Sequence, residues 1–480
     1  MKPVIEVAWL LRAGFIKLIA CAAVVVFVLV SFFSAYESRS DNSPVPRGPG
    51  GEAVTDTYTF VHQELIGDGT VTTRVTSLTG KYSTSPNGWQ PTLVPWAKAG
   101  IILEPDIDQG TRYAAVMVTG SHGVRMQYDY THDSPGLPGA VGPSSPRWLR
   151  LTRAGDVVTG YDSADGVHWT GISTARLTGL PRTVQIGLFV TSPVYFASGA
   201  SVEGTPSAAT AVFDRLWARG DLPSGSWADD AIAGSYPSTW QQRAADAFTI
   251  SGSGDIAPLV GGEGPATHWS GASVVNGTIV ALLFVIVLAA LPVTSEYRRG
   301  LTRTACPRRD RVLVAKAVAA GSLAFAAGAI ATAIAEVITR HVFAANGNYL
   351  FPQSAPDLAR VIIGTGLLLG LAAVLVVALG TMLRRSAWTV AVGIVFLVVP
   401  GILATAMGLP AGIDSWLMRL TPTAAFAIQA TLPRSSLVTG AYIPANGYFP
   451  IGPWGGLAVL AAYTATALGA ALWFVRRRDA

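Results

Sequence analysis

The chain has 480 residues, of which 50% are hydrophobic and 13% charged, and its mean hydropathy is +0.42. This composition excludes an ordinary soluble protein and indicates a membrane protein. The net charge of +5 combines two opposite blocks. Residues 37–272 hold 15 Lys/Arg against 22 Asp/Glu, a net of −7, and the remainder holds 19 against 7, a net of +12. The basic total therefore does not indicate a nucleic-acid partner.

Six apolar runs are long enough to cross a lipid bilayer, because about 20 apolar residues span its hydrocarbon core. They are predicted at residues 18–36, 272–293, 313–337, 358–382, 387–409 and 455–475. The first run exceeds a signal-peptide core and lacks a small-x-small cleavage site, so we expect it to be retained. Near the outer end of the third span, Glu336 is expected to pair with Arg340 one helical turn away. The alternative is an intramembrane carboxylate that marks a transport pathway.

Basic residues mark one side of the membrane. They occur in segment 1–17, in segment 294–312, at Arg384 and Arg385, and in the tail 476–480. The positive-inside rule places all four in the cytoplasm. We therefore expect a multi-pass plasma-membrane protein with both termini inside, and with residues 37–271 and the loop 410–454 outside.

The external block 37–271 shows short runs of β-branched and aromatic residues with period-two alternation. Turn signals separate the runs, at Gly67-Asp68-Gly69 and at Asp165-Gly166. Such spacing predicts an antiparallel β-sandwich inserted between the first two spans.

The same block resembles a known family through "WAKAGIIL", "RYAAVMVTGSHGVRMQY" and "PRWLRLTRAGDVVTGYDSADGVHWT". Over residues 55–220 these segments are similar to concanavalin-A-like (laminin-G-like) jelly-roll modules. In that family a segment like "FTISGSGDI" precedes the "GDGT" turn, whereas here it lies at Phe248–Ile256. We therefore expect a circularly permuted jelly roll whose first and last strands pair.

Tryptophans in this block carry a carbohydrate-binding hypothesis, because amphipathic rings stack on sugars. The predicted ligand-facing rings are Trp89, Trp96, Trp148 and Trp169, with Trp217 as a further candidate. The alternative is that most of them belong to the core of the sandwich, since jelly rolls also occur without ligands.

The basic segment 294–316, "TSEYRRGLTRTACPRRDRVLVAK", joins the second and third spans. Together with "RLTPTAAFAIQATLP" and "GYFPIGPWGGLAVLAAYTATALGAALWFVRRRDA", it resembles the actinobacterial permease subunits of ABC-2-type transporters. The resemblance covers residues 272–480 and the first span, and it implies a six-helix permease bundle. It also implies a re-entrant external segment at 412–432, for which an interfacial amphipathic helix is the alternative.

ABC-2 permeases take energy from a separate ATPase subunit, and this chain has no GxxxxGK[ST] phosphate loop of its own. We therefore expect a transport subunit that is not an enzyme and holds no cofactor, with ATP used by the partner. The resemblance implies that segment 294–312 docks on that ATPase. The predicted coupling residues are Glu296, Tyr297, Arg298, Arg299, Gly300 and Arg303. A simple positive-inside anchor is the alternative.

The resemblance further implies a homodimer or a second permease subunit as partner, within the lipid bilayer. It implies export of a hydrophobic or amphipathic substrate, which in the family is a lipid, drug, antibiotic or glycopolymer. The competing hypothesis is a membrane-anchored, lectin-like surface protein or sensor whose β-sandwich binds carbohydrate or a cell-wall polymer.

Overall fold

The computed structural model describes residues 14–40, 45–85, 88–196, 204–223, 226–261, 270–299, 309–406, 412–440 and 442–478. These residues form a β domain and a helical part. The described helices are α1 (Gly14–Tyr36), α2 (Ser270–Arg299), α3 (Arg309–Ala345), α4 (Ala355–Leu383), α5 (Ser386–Leu397), α6 (Val399–Ala406), α7 (Ile413–Leu420) and α8 (Pro453–Arg478). Short 3-10 segments occupy Glu37–Ser40, Pro422–Gln429 and Pro444–Asn446.

The β domain lies in the chain between α1 and α2. Its strands are β1 (Val54–Asp56), β2 (Tyr58–Ser85), β3 (Gly88–Pro91), β4 (Lys98–Glu104), β5 (Ala114–Thr119), β6 (Val124–Tyr128), β7 (His132–Pro135), β8 (Arg147–Ala154), β9 (Val157–Ser163), β10 (Thr170–Arg176), β11 (Thr183–Thr191), β12 (Ser207–Asp221), β13 (Ala228–Ile232), β14 (Thr239–Ala244), β15 (Ala247–Gly252) and β16 (Ile256–Pro258).

Among the residues that the structure describes, five stretches of helix are long and apolar enough to cross a membrane: Val274–Leu291, Asp310–Ala345, Ala355–Leu383, Ser386–Ala404 and Pro453–Arg477. Their length and composition are those of a membrane protein. The first predicted span, 18–36, falls within α1, a helix of 23 residues. The apolar stretch of α1 whose side chains are described is Cys21–Tyr36. That this first span crosses the membrane stays a prediction.

Two predicted spans differ from the helices that contain them. Helix α3 continues to Ala345, eight residues beyond the predicted end at 337. The predicted span 387–409 is divided at Val398 into α5 and α6. Pro400 explains this break, because a proline lacks the N–H that would bond the carbonyl of Phe396 and its ring clashes there.

One long strand builds both sheets of the β domain. The first half of β2 pairs with β11 and β13, and its second half pairs with β8 and β12. The first sheet has the order β13-β2-β11-β4-β5-β6-β7, and the second has β14-β15-β12-β2-β8-β9-β10. The turn predicted at Gly67-Asp68-Gly69 is therefore wrong: a positive φ of 73° at Gly67 lets β2 pass from one sheet to the other without reversing. The turn at Asp165-Gly166 is confirmed and joins β9 to β10.

Apolar side chains fill two layers of the β domain. The larger cluster lies between the sheets and includes Val61, Ile101 and Leu151. The smaller one covers the outer face of the first sheet and includes Phe60, Ile102 and Phe189. Strands β4 and β5 are buried on both faces for this reason, which explains their nearly continuous apolar sequences.

The first and last strands of the domain pair, as the sequence analysis expected. Residues Val54, Thr55 and Asp56 lie antiparallel to Pro258, Ala257 and Ile256. The permuted strand order itself stays a prediction. This two-stranded ribbon brings the two chain ends together where the domain joins the helices.

Buried polar groups fix this ribbon to the first sheet. The Lys98 side chain, with no exposed surface, lies 2.7 Å from the Asp255 carboxylate and also donates to the Ile256 carbonyl. Asp56 Oδ2 accepts hydrogen bonds from Tyr130 Oη at 2.7 Å and from the Gly110 amide at 2.8 Å. Burial raises the pKa of Asp56 to about 6, although both hydrogen bonds oppose the shift.

The ribbon side of the β domain packs on the helical part. Ala53 and Leu259 form one apolar cluster with Tyr349 and Phe351, which precede α4. Ala257 and Val260 form another with Val438 and Tyr448, from the segment that precedes α8. At the opposite end of the helices, Arg476 of α8 lies 3.6 Å from Asp310 of α3.

Candidate functional site

The predicted coupling residues lie at the end of α2. This helix reaches Arg299, six residues beyond the predicted end of the second span, and therefore includes Glu296, Tyr297, Arg298 and Arg299. Gly300 and Arg303 lie outside the described residues. The docking role of this segment stays a prediction.

The predicted re-entrant segment 412–432 has two parts. Helix α7 exposes Trp416 and Leu420, 58% and 60% accessible, as an interfacial amphipathic helix would. The 3-10 segment Pro422–Gln429 follows, and all eight of its residues are buried. We call Pro422–Gln429 the buried segment.

Glycines on two neighbouring helices give the buried segment its space. A Cβ at Gly456 of α8 would overlap the Ala424 carbonyl oxygen, and one at Gly364 of α4 would overlap the Ile428 side chain. Small residues allow such close approach between a helix and another backbone. The glycines thus explain how a non-helical chain fits among packed helices.

Polar side chains on two helices hold the end of the buried segment. Gln429 Nε2 lies 2.8 Å from Thr278 Oγ1 of α2 and 2.9 Å from Thr365 Oγ1 of α4. The guanidinium of Arg360 donates to the carbonyls of Ile428 and Ala430, both at 2.8 Å. The two Arg360 bonds satisfy backbone carbonyls that an interrupted helix would leave without partners.

Gln429 combines complete burial with an unused hydrogen-bond acceptor. Its exposed fraction is 0%, and its Oε1 has no partner among the described residues. Thr278 and Thr365 lie eight and ten residues from the starts of their helices, a depth of about 12 to 15 Å at the helical rise. The amide therefore lies well inside the apolar bundle, where an unsatisfied acceptor is costly.

Glu336 differs from the interfacial pair that the sequence suggested. It is only 2% exposed, and its Oε2 has no hydrogen-bond partner among the described residues. Arg340 still interacts electrostatically with Glu336. Its guanidinium donates to Gln353 Oε1 at 2.9 Å, and Gln353 Nε2 in turn contacts Thr431 just beyond the buried segment. A second polar chain therefore reaches the same part of the bundle.

The predicted ligand-facing tryptophans have different environments. Trp96 is 2% exposed and stacks on His122 at 3.9 Å, so its prediction as a ligand-facing residue is wrong. Sequence alternation could not place Trp96, because it lies in the turn before β4. Trp89 is 40% exposed, with Lys81 Nζ 4.8 Å from its ring centroid.

Trp148 and Trp169 are half-buried beneath arginines. The guanidinium of Arg150 lies 3.7 Å from the ring centroid of Trp169. Arg74 and Arg215 lie 5.6 and 5.5 Å from that of Trp148. These two rings support cations rather than offering open faces to a sugar.

The chain matches no protein-family profile and no curated protein. Among solved structures, it is similar to a functionally unknown protein from Saccharomyces cerevisiae, at 17% identity over 38% of this chain and 84% of that one, with a TM-score of 0.24. Scytalido-glutamic peptidase aligns at 10% identity over 42% of this chain and 98% of its own, with a TM-score of 0.27. The GH43 protein BlXynB from Bacillus licheniformis aligns at 13% identity over 32% and 28%, with a TM-score of 0.20. Likenesses this low define neither a fold family nor an activity.

Proposed function

We propose that this chain is the membrane-spanning subunit of an ABC-2-type transporter. It would export a hydrophobic or amphipathic substrate with energy from a separate ATPase. The buried segment Pro422–Gln429 carries this proposal. Non-helical backbone at membrane depth is tolerated only where protein buries it or where it lines a water-filled cavity, and it recurs in transporters.

A display anchor for the β domain would need apolar helices alone. This bundle instead holds the fully buried Gln429 and the partly buried Arg360, which also pairs with Asp357, at the end of the buried segment. Elsewhere in the bundle, Glu336 is 2% exposed. Buried polar and ionisable groups between membrane helices are costly and mark substrate or ion pathways. Their presence in the bundle supports transport over display.

The end of α2 is the proposed docking element for the ATPase. Glu296 precedes Arg299 by three residues, so the segment combines an acidic and a basic residue. A purely electrostatic anchor needs positive charge and no acidic residue.

Reconstitution with an ATPase subunit, to be sought first among the products of the neighbouring genes, tests the docking proposal. Glu296→Ala and Arg299→Ala should each lower its co-purification and the stimulated ATP hydrolysis, by about tenfold if one charged contact is lost. Arg385→Ala removes a positive charge before α5 and is the matched control, with little change expected. Equal effects of Arg299→Ala and Arg385→Ala would support the simple anchor.

Cysteine labelling tests the role of the buried segment. In a background in which Cys21 and Cys306 are replaced by serine, Gln429→Cys should react with a small maleimide at different rates with and without ATP. Tyr236→Cys, an 83% exposed position in the β domain, should react at the same rate in both conditions. A rate at position 429 that is independent of ATP in a complex that binds the ATPase would contradict a translocation role.

A further inference from the structure

The outer face of the second sheet is a row of arginines and aromatic rings. Across this face, Arg74 of β2 lies opposite Trp148 of β8, and Thr72 lies opposite Arg150. On the other side of β2, Asp214 and Trp217 of β12 lie opposite Arg74 and Thr72. We call this surface the arginine face.

The arginine face is held in place by its own contacts. Arg150 stacks on Trp169 and donates from Nε to Thr72 Oγ1 at 3.1 Å. Arg74 makes two hydrogen bonds to the Asp214 carboxylate, at 2.6 and 2.7 Å. Guanidinium groups fixed in this way lose little conformational freedom when they bind an anion.

An irregularity in β12 adds a further cation to this face. The register shifts between Asp214 and Trp217, and Arg215 adopts a left-handed φ of 49°. Leu216 therefore packs against the core between the sheets, while Arg215 lies over Trp148 on the same side as Asp214 and Trp217. Bulges redirect side chains in this way and are common near binding sites.

Charge on this face is opposite to that of the surrounding domain. Residues 37–272 carry a net of −7, yet Arg150, Arg215 and Arg219 lie together here. Within the described part of the chain, no acidic side chain forms an ion pair with any of these three. Trp217, 52% exposed, leaves an open ring beside them. Cations next to an accessible ring suit an anionic sugar polymer.

The arginine face lies away from the junction between the β domain and the helical part, which favours a ligand other than the bilayer. Tyr82, at the other end of β2, stacks on Tyr195, and the adjacent Phe196 packs with Val438 of the helical part. Arg74 precedes Tyr82 by eight residues, about 26 Å along the strand. The face also lies on the side of the sandwich opposite the ribbon that joins the helices.

We propose that the arginine face binds an anionic glycan. Arg150, Arg215 and Arg219 contact its carboxylate or phosphate groups, and Trp217 stacks on a sugar ring. This inference is independent of the transport proposal, since it requires neither ATP nor the ATPase.

The test uses the full chain in lipid nanodiscs and measures affinity for polygalacturonate and for its fully methyl-esterified, uncharged form. The anionic polymer should bind at least about tenfold more tightly, and its affinity should fall as salt is raised. Arg215→Gln should weaken binding about tenfold and reduce the salt dependence, and Arg219→Gln should act in the same direction.

Arg182→Gln is the matched control, because it removes an exposed charge just before β11, away from this face. Its affinity should stay within about twofold of the unmodified chain. Equal binding of the methyl ester, or equal losses from Arg182→Gln and Arg215→Gln, would overturn the proposal. Tighter binding to anionic vesicles or to double-stranded DNA than to polygalacturonate would overturn the choice of a glycan.

Discussion

The β domain and the helical part both bury polar groups, but for different physical reasons. In the β domain, Lys98 and Asp255 neutralise each other, and Asp56 accepts two hydrogen bonds. In the helical part, the side-chain amide of Gln429 contacts two threonines through Nε2, whereas its Oε1 has no partner among the described residues. Arg360 donates to the carbonyls of the interrupted backbone. The first arrangement fastens the ribbon to a sheet. The second supports a non-helical segment among packed helices.

This contrast separates buried polar groups that are paired from buried polar groups that are incompletely paired. Paired groups at the ribbon hold the place where the chain enters and leaves the domain. Beside the buried segment, Arg360 holds two backbone carbonyls, but Gln429 Oε1, which lacks a partner in the described part of the chain, costs stability. Substitutions in the two regions should therefore differ in which property they change.

The largest effect on stability is expected from Lys98→Met. It leaves the buried carboxylate of Asp255 without its cation, and breaking a buried pair in this way costs about 3 to 5 kcal/mol. Hydrogen exchange of the amides in β1 and β16 measures the loss. Lys98→Met combined with Asp255→Asn should recover part of it, because the remaining side chain is neutral. A loss below about 1 kcal/mol in the single variant would show that the pair does not hold the ribbon.

The pH dependence of the ribbon should follow Asp56. Its folded-state pKa of about 6 exceeds its usual value of 3.8, so its contribution to stability is full below about pH 4 and is lost as the pH rises through 6. Over this pH range the Asp56 contribution to the free energy of unfolding should fall by about 3 kcal/mol. Asp56→Asn should flatten this dependence in the exchange of β1 amides, because Asn can still accept from Gly110 and Tyr130. An unchanged pH profile would assign the dependence to other groups.

Gly456→Ala should destabilise the helical part, although helix propensity alone predicts a gain in stability. The new Cβ would overlap the Ala424 carbonyl, and such overpacking costs about 1 to 3 kcal/mol. Gly469→Ala on the same helix has open space and should gain up to about 1 kcal/mol. Unfolding of the purified chain in detergent and SDS compares the two. Equal stabilisation by both would contradict close packing of the buried segment on α8.

The smallest effect is expected on the surface of the second sheet. Arg150→Lys loses the flat stacking on Trp169 and should cost about 0.5 to 1 kcal/mol. Arg176→Lys, at an exposed position at the end of β10, should change the unfolding free energy by about 0.5 kcal/mol or less. If Arg176→Lys lowers the unfolding free energy more than Arg150→Lys does, the stacking on Trp169 does not explain the effect at Arg150.

Local patterns predicted the existence of the elements better than their connections. Apolar runs indicated α2, α3, α4 and α8, because length and hydropathy alone define such helices. The break at Val398 could also be predicted, because Pro400 is visible in the sequence. Gly67-Asp68-Gly69 was misleading because glycine allows a strand to change sheets as readily as it allows a turn.

The candidate sites depended on contacts between residues far apart in sequence. Gln429 meets Thr278 and Thr365 from two different helices, and no local pattern connects these positions. The side of the sheet on which Arg215 lies depends on a bulge that ordinary alternation does not anticipate. A polar residue within the semi-apolar stretch 412–432 was the available signal for Gln429, but its partners required the fold.

The antiparallel pairing of β1 with β16 has a mechanical consequence. Both strands connect to the helical part at the same side of the domain. A force that pulls the domain outward therefore acts on both strands in the same direction and does not shear one strand along the other. The hydrogen bonds between them then carry little of the force, which passes instead to Lys98, Asp56 and the apolar layer beneath. The domain would respond to tension as one body on a double tether, and it would transmit that load to the helices on both sides of its insertion.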